Sequence, residues 1–227
     1  MDARGIIDSI GDIYDRFEIP PNLQMHMFRA AALAELVCDN WKGPRINKAD
    51  IISVSLIHDL GNIVKFDLET PAVLKLYYDQ TEEAIGKLRE VRGRTIAKYG
   101  TDDHAATQMM AKELDINKRL MYLLTYGGHA FTDTEIIVPD DWDVKIYAYA
   151  DFRIGPFGIM PLKDRFEEFR RRQEIRIERG AKNWSYEQID AIVAAGFALE
   201  KELQANVSLR LDQINDSSVQ PYLDKYL

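Results

Sequence analysis

One cysteine, Cys38, stands in 227 residues, so no disulfide can form within the chain and no thiolate cluster can build a structural zinc site. Positive charge is also in short supply. Lys and Arg number 29 against 37 Asp and Glu, a formal charge of -8, which argues against a general nucleic-acid or anionic-membrane surface and leaves room only for a local basic pocket. No apolar run is long enough to span a bilayer, and the opening Met1-Asp2-Ala3-Arg4-Gly5 lacks the basic and apolar regions of a signal peptide. A reducing cytoplasm is the compartment these absences suggest. Internal repeats, low-complexity tracts and alternating strand patterns are missing too. What remains, 46% hydrophobic and 29% charged, is the composition of a globular all-α chain, expected as a single domain over 1–227.

The helical stripes follow one another. Ala3 to Phe17 carries Ile6, Ile7, Ile10, Ile13, Tyr14 and Phe17, and Pro20-Pro21 closes it and opens Leu23 to Trp41, whose Ala30, Ala31 and Ala34 permit close packing. After Gly43-Pro44 comes the run Ile51, Ile52, Val54, Leu56, Ile57, Leu60, Ile63 and Val64, with the i, i+3, i+4 recurrence of a mostly buried helix. A short helix is expected at about 71–78. Thr81 caps a charged helix ending at Gly100, and Asp102 or Asp103 caps another through Leu114. Asn117 begins one that should stop at Gly127-Gly128, and Trp142 to Ile154 ends at Gly155-Pro156. Glu167 with Arg171 and Glu168 with Arg172 mark a solvated helix in 162–180, which makes Arg170-Arg171-Arg172 a charged face and not an anion site. Ser185 with Gln188 is a capping box for a last helix to about Ile214.

Into the buried run of 51–64 the chain puts His58 beside Asp59. A carboxylate buried without a partner is costly, and a divalent metal would satisfy it and the imidazole together. Gly61, one turn on, lets another backbone or a ligand come close. A His-Asp dipeptide alone is a weak signal. The four histidines of the chain, His26, His58, His104 and His129, each fall on or at the edge of a separate helix, as ligands projected inward by a bundle would. With Asp59 and Asp151 they make six nitrogen and oxygen donors, a set suited to a catalytic ion with open positions.

The order His26, His58-Asp59, His104, His129, Asp151 resembles the HD superfamily of metal-dependent phosphohydrolases, over a core of about 21–156 followed by additional C-terminal helices at about 160–227. The resemblance implies an HD-domain helical bundle and one or two divalent ions (iron, manganese, nickel or zinc, with magnesium compatible). His26, His58, Asp59 and Asp151 would hold the first. His104 and His129, with Asp59 bridging, would hold the second, as in superfamily members with two metals. The activity implied is hydrolysis of a phosphate ester by activated water. In many relatives a lysine follows the glycine after the His-Asp pair. Here Asn62 takes that place, which counts against cyclic-dinucleotide cleavage of the HD-GYP type; Asn62 can donate a hydrogen bond, and Lys65 is either a substitute for the lost charge or a surface residue. Arg29, one turn from His26, either binds a substrate anion or pairs with an acid. Arg153, two residues from Asp151, faces another way and reads as a structural ion pair. The stretch from Asp151 to Arg165 is similar to a group of prokaryotic HD proteins described only as hydrolases.

The same ligand order also resembles the diiron oxygenases of the superfamily, of the myo-inositol oxygenase type, and a non-catalytic nucleotide-sensing module is a third reading. The expected partner is a small phosphorylated metabolite or nucleotide, with no nucleic acid and no membrane; Tyr77, Tyr126, Phe131 and Phe157 are candidates to stack on a base, or plain core. A homodimer through the helices of 162–214 is compatible with the pattern.

Overall fold

A computed structural model describes residues 1–70, 73–74, 81–129, 140–178 and 185–227, without the side chains of 128–129 and 175–178. The chain is all-α. Its helices are α1 (Ala3–Asp8), α2 (Ile10–Arg16), α3 (Pro21–Asp39), α4 (Lys48–Ile57), α5 (Glu82–Tyr99), α6 (Asp103–Glu113), α7 (Lys118–His129), α8 (Trp142–Phe152), α9 (Leu162–Glu178), α10 (Tyr186–Gln204) and α11 (Asp216–Leu223). Between α8 and α9 a two-residue hairpin pairs Ile154 with Ile159 and Gly155 with Gly158, too short to leave an alternating pattern in the sequence.

Three helices make the centre. Residues 30–34 of α3, 50–57 of α4 and 143–150 of α8 are buried without interruption, and the three helices pack on one another. A helix that is apolar on every side can only sit inside, and its few polar residues are then forced into one another's company. Around this trio α1 covers α4, α7 and α10 lie on α8, and α11 returns to cover α3. One apolar core runs from Ala3 to Leu223, and Leu68, Ile85 and Leu88 form a small satellite. No helix among the described residues is long and apolar enough to cross a membrane.

The caps fall where polar residues precede apolar runs. Thr81 accepts from Ala84, Asp102 from Ala105, and Ser185 with Gln188 forms the reciprocal box. Gly100, at φ 88°, ends α5 in a conformation that side chains resist. Elsewhere the structure departs from the sequence pattern. The first stripe divides at Ser9 into α1 and α2. The His-Asp helix ends at Ile57, because the amide of Gly61 bonds to Thr107 Oγ1 (2.9 Å) and not to the carbonyl one turn back; the chain continues in i to i−3 bonds through a 3₁₀ turn at Asn62–Lys65. The α7 helix runs through Gly127 to His129. A Cβ on Gly127 would lie 1.9 Å from Tyr147 Cε1, so that glycine serves close packing onto α8 and is no stop signal. The last helix stops at Gln204, where Trp41 bridges to Val207, and a further helix, α11, begins at the Asn215 capping box. Of the helix expected at 71–78 only residues 73–74 are described, and these are helical.

Candidate metal centre

The buried trio brings one side chain from each helix to a common point. His26 comes from α3, His58 caps the C-terminus of α4, and Asp151 lies in the last turn of α8. His26 Nε2 is 3.1 Å from His58 Nε2, and both nitrogens are 3.2 Å from Asp151 Oδ1. The three atoms form a nearly equilateral triangle. Ligands about 2.0–2.2 Å from a divalent ion, at near-tetrahedral or octahedral angles, stand roughly 3 to 3.5 Å apart, so the triangle has the size of one face of a coordination shell. His26, His58 and Asp151 thus form a group that could hold a metal ion. Asp59 Oδ2 lies just outside it, 3.5 Å from His26 Nε2 and 3.9 Å from His58 Nε2.

The orientation of His58 is fixed from behind. Its Nδ1–H donates to the carbonyl of Ser55 (2.8 Å), which turns Nε2 inward, and Tyr147 stands edge-on to the ring at 5.7 Å. Burial pushes the imidazole toward its neutral form. The carboxylates of Asp151 and Asp59 outweigh that, together with the bonds to Asp151 and Ser55, and raise His58 to about 9. Asp151 and Asp59 show the converse: burial raises each, and the His58 and His26 imidazoles bring both below the usual carboxylate range, Asp151 well below it. Burial, then the nearby carboxylates, holds the Tyr147 phenol well above its ordinary value, so it stays neutral. The centre is charged, half-closed and built from neighbours that need one another or a cation.

Asn62 donates from Nδ2 to Asp59 Oδ2. Lys65 pairs with Asp103 at 2.6 Å, with half its side chain in solvent. Arg29 faces Asp216 of α11, Nε to Oδ1 3.3 Å, and Asp216 also accepts from the amide of Ile159, so the hairpin, α11 and α3 meet beside His26. Gly61 does admit a close neighbour: an added Cβ would be 2.6 Å from the Thr107 nitrogen and 2.7 Å from the Asp103 carbonyl, so the first turn of α6 lies directly on the segment after the His-Asp pair. His104 is in that turn, half-buried, and is not part of the three-residue group. His129 ends α7, and its side chain lies outside the described residues, as do Tyr77 and Phe131. Tyr126, half exposed, packs on Tyr122 at 4.6 Å, and Phe157 is exposed at the hairpin tip. A recess of about 470 Å³ lined by Arg45, Ile46, Asn47, Lys48, Ala49 and Asp143 opens at the opposite end of α4 and shares no residue with the centre.

The sequence reading missed Ser55, Thr107, Tyr147 and Asp216. Tyr147 precedes Asp151 by one helical turn and Thr107 follows His104 by three residues, spacings that place such pairs on one face. Asp216 had no local signal, since only the return of α11 onto α3 brings it to Arg29. Comparisons with protein families, with curated proteins and with solved structures find no match for this chain.

Proposed function

We propose that the chain is a metal-dependent phosphohydrolase of the HD type, acting in the cytoplasm on the phosphate ester of a nucleotide or another small phosphorylated metabolite. One observation carries the reading: two imidazole nitrogens and a carboxylate oxygen, drawn from three separate core helices, stand 3.1–3.2 Å apart. Two imidazole nitrogens facing each other can share one proton at most, and a divalent ion satisfies both and the carboxylate together. In this reading His26, His58 and Asp151 hold the ion with Asp59 beside them, and a bound divalent ion lowers the pKa of water and polarises the phosphoryl group. His104, on the turn packed against Gly61, and His129 are the ligands of a second ion.

The remaining roles belong to the chain itself. Ser55 keeps Nε2 of His58 aimed inward. Arg29, whose side chain is 24% exposed, offers its guanidinium to a phosphate oxygen one helical turn from His26, and Asp216 holds it there. Asp103 engages Lys65, so Lys65 reaches a substrate only by leaving that pair.

The test is a phosphate-release screen over nucleotides and sugar phosphates, run with manganese, iron, nickel, zinc and magnesium in turn. Release dependent on one of these ions is expected. Oxygen uptake by iron-loaded protein without phosphate release would move the site to oxygenase chemistry, and tight nucleotide binding without turnover would make it a sensing module.

A further inference from the structure

Asn62 stands where many HD proteins carry a phosphate-gripping lysine, yet its donor is already in use. Nδ2 bonds to Asp59 Oδ2. An ionised carboxylate only accepts, so the amide cannot be turned round: the NH₂ must face Asp59 and the carbonyl must face away from it. That carbonyl oxygen, Oδ1, is buried and has no hydrogen-bond partner among the described residues. A buried acceptor without a donor is costly and rarely kept in a folded protein. The other end of the same amide holds the carboxylate oxygen that lies 3.5 Å from His26 Nε2. What is wanted beside Oδ1 is a hydrogen-bond donor.

Building on the phosphohydrolase reading, we propose that Asn62 is a positioning residue for the attacking water, accepting a hydrogen bond from its O–H at Oδ1, and not a donor to the phosphate. The two ends of one amide then do two jobs: Nδ2 fixes Asp59, and Oδ1 orients the water so that an oxygen lone pair points at phosphorus. This also gives a reason for asparagine in place of lysine, since an ammonium has three donors and no acceptor.

Two variants separate the jobs. Asn62→Leu removes both ends of the amide at similar size, and Asn62→Lys retains a donor toward Asp59 while removing the acceptor. In manganese-loaded protein, water exchange measured by ¹⁷O relaxation should be several-fold faster in both variants. Affinity for inorganic phosphate, measured by calorimetry, should stay within about twofold of the parent for Asn62→Leu. With a turned-over substrate, kcat should fall about 10- to 100-fold in both variants at unchanged KM, the usual loss for a supporting hydrogen bond.

Unchanged water exchange would overturn the proposal. So would a tenfold loss of phosphate affinity in Asn62→Leu, which would make Asn62 a phosphate donor, or full activity in Asn62→Lys, which would leave it only an anchor for Asp59. A rise in KM confined to substrates with a hydroxyl next to the ester would identify the donor as substrate and would overturn it too. The exchange measurement needs no turnover, so parent protein that binds manganese and hydrolyses no ester refutes the phosphohydrolase reading while this readout still decides the role of Asn62.

Discussion

Asp151 and Arg153 stand two residues apart at the end of the same helix, and the protein treats them in opposite ways. Arg153 is fully buried and firmly held: its guanidinium donates to the carbonyls of Met160, Leu211 (2.6 Å) and Ile214 (2.8 Å) and to the Tyr149 hydroxyl, with Glu200 at 3.8 Å. Four of its five N–H donors are taken. Asp151 turns the other way, into a group where two ring nitrogens crowd one carboxylate oxygen. A buried charge answered by its surroundings holds a fold together; a part-exposed carboxylate answered only by two imidazoles is set up to receive something.

The difference can be tested by breaking each side. The largest effect is expected on the Asp151 side. His58→Ala or Asp59→Ala should weaken ion binding by more than the roughly 100-fold that loss of a supporting hydrogen bond costs, and should abolish turnover, while circular dichroism stays helical. An ion content equal to the parent's in His58→Ala would remove the centre from the account. At Arg153, the change Arg153→Leu strands the carbonyls of Leu211 and Ile214 and leaves the Glu200 carboxylate with the Tyr149 hydroxyl but without its cation. It should cost about 3–5 kcal/mol in urea unfolding and leave the ion affinity of the folded protein unchanged. Smaller again is Gly127→Ala, which forces the Tyr147 ring away from α7. About 1–3 kcal/mol is expected in the same unfolding assay, with a few-fold loss of ion affinity because Tyr147 backs His58.

The mildest probe is pH. His58 is raised from 6.5 to about 9 in the folded, metal-free protein, so its contribution to stability is complete below pH 6.5 and is lost as pH rises through about 9. Asp59 and Asp151 are lowered, so their contribution is present above the ordinary aspartate value of 3.8 and is lost as pH falls. The melting temperature of metal-free protein should therefore decline between pH 6.5 and 9. Stabilisation by added manganese should grow over the same interval, because the ion displaces the proton that the rise in pH removes.

Much of this was legible in the residues. Apolar periodicity marked the positions of α3, α4 and α8, and a histidine per helix pointed to convergence of His26, His58, His104 and His129 with Asp59 and Asp151, of which the structure brings His26, His58 and Asp151 into one group. The all-α class follows from the same stripes. What the sequence hid was long-range. Gly127 looks like a stop and is a packing contact, because the ring it accommodates lies twenty residues on. The end of α4 at Ile57 depends on a threonine side chain from α6. Asp216 reaches Arg29 only through the return of the last helix, and two of the acceptors of Arg153 are carbonyls of a segment about sixty residues away. Local patterns show which face of a helix is buried; they carry no record of which distant backbone group will meet it.

The central claim is that His26, His58 and Asp151 close on a single divalent ion. Calorimetric titration of the metal-free protein with manganese at pH 7.5, in two buffers of different ionisation enthalpy, tests it most directly. The account predicts tight binding with release of about one proton, the one held by His58, and loss of both signals in His58→Ala. Absence of binding, or binding that releases no proton and survives His58→Ala, would contradict it.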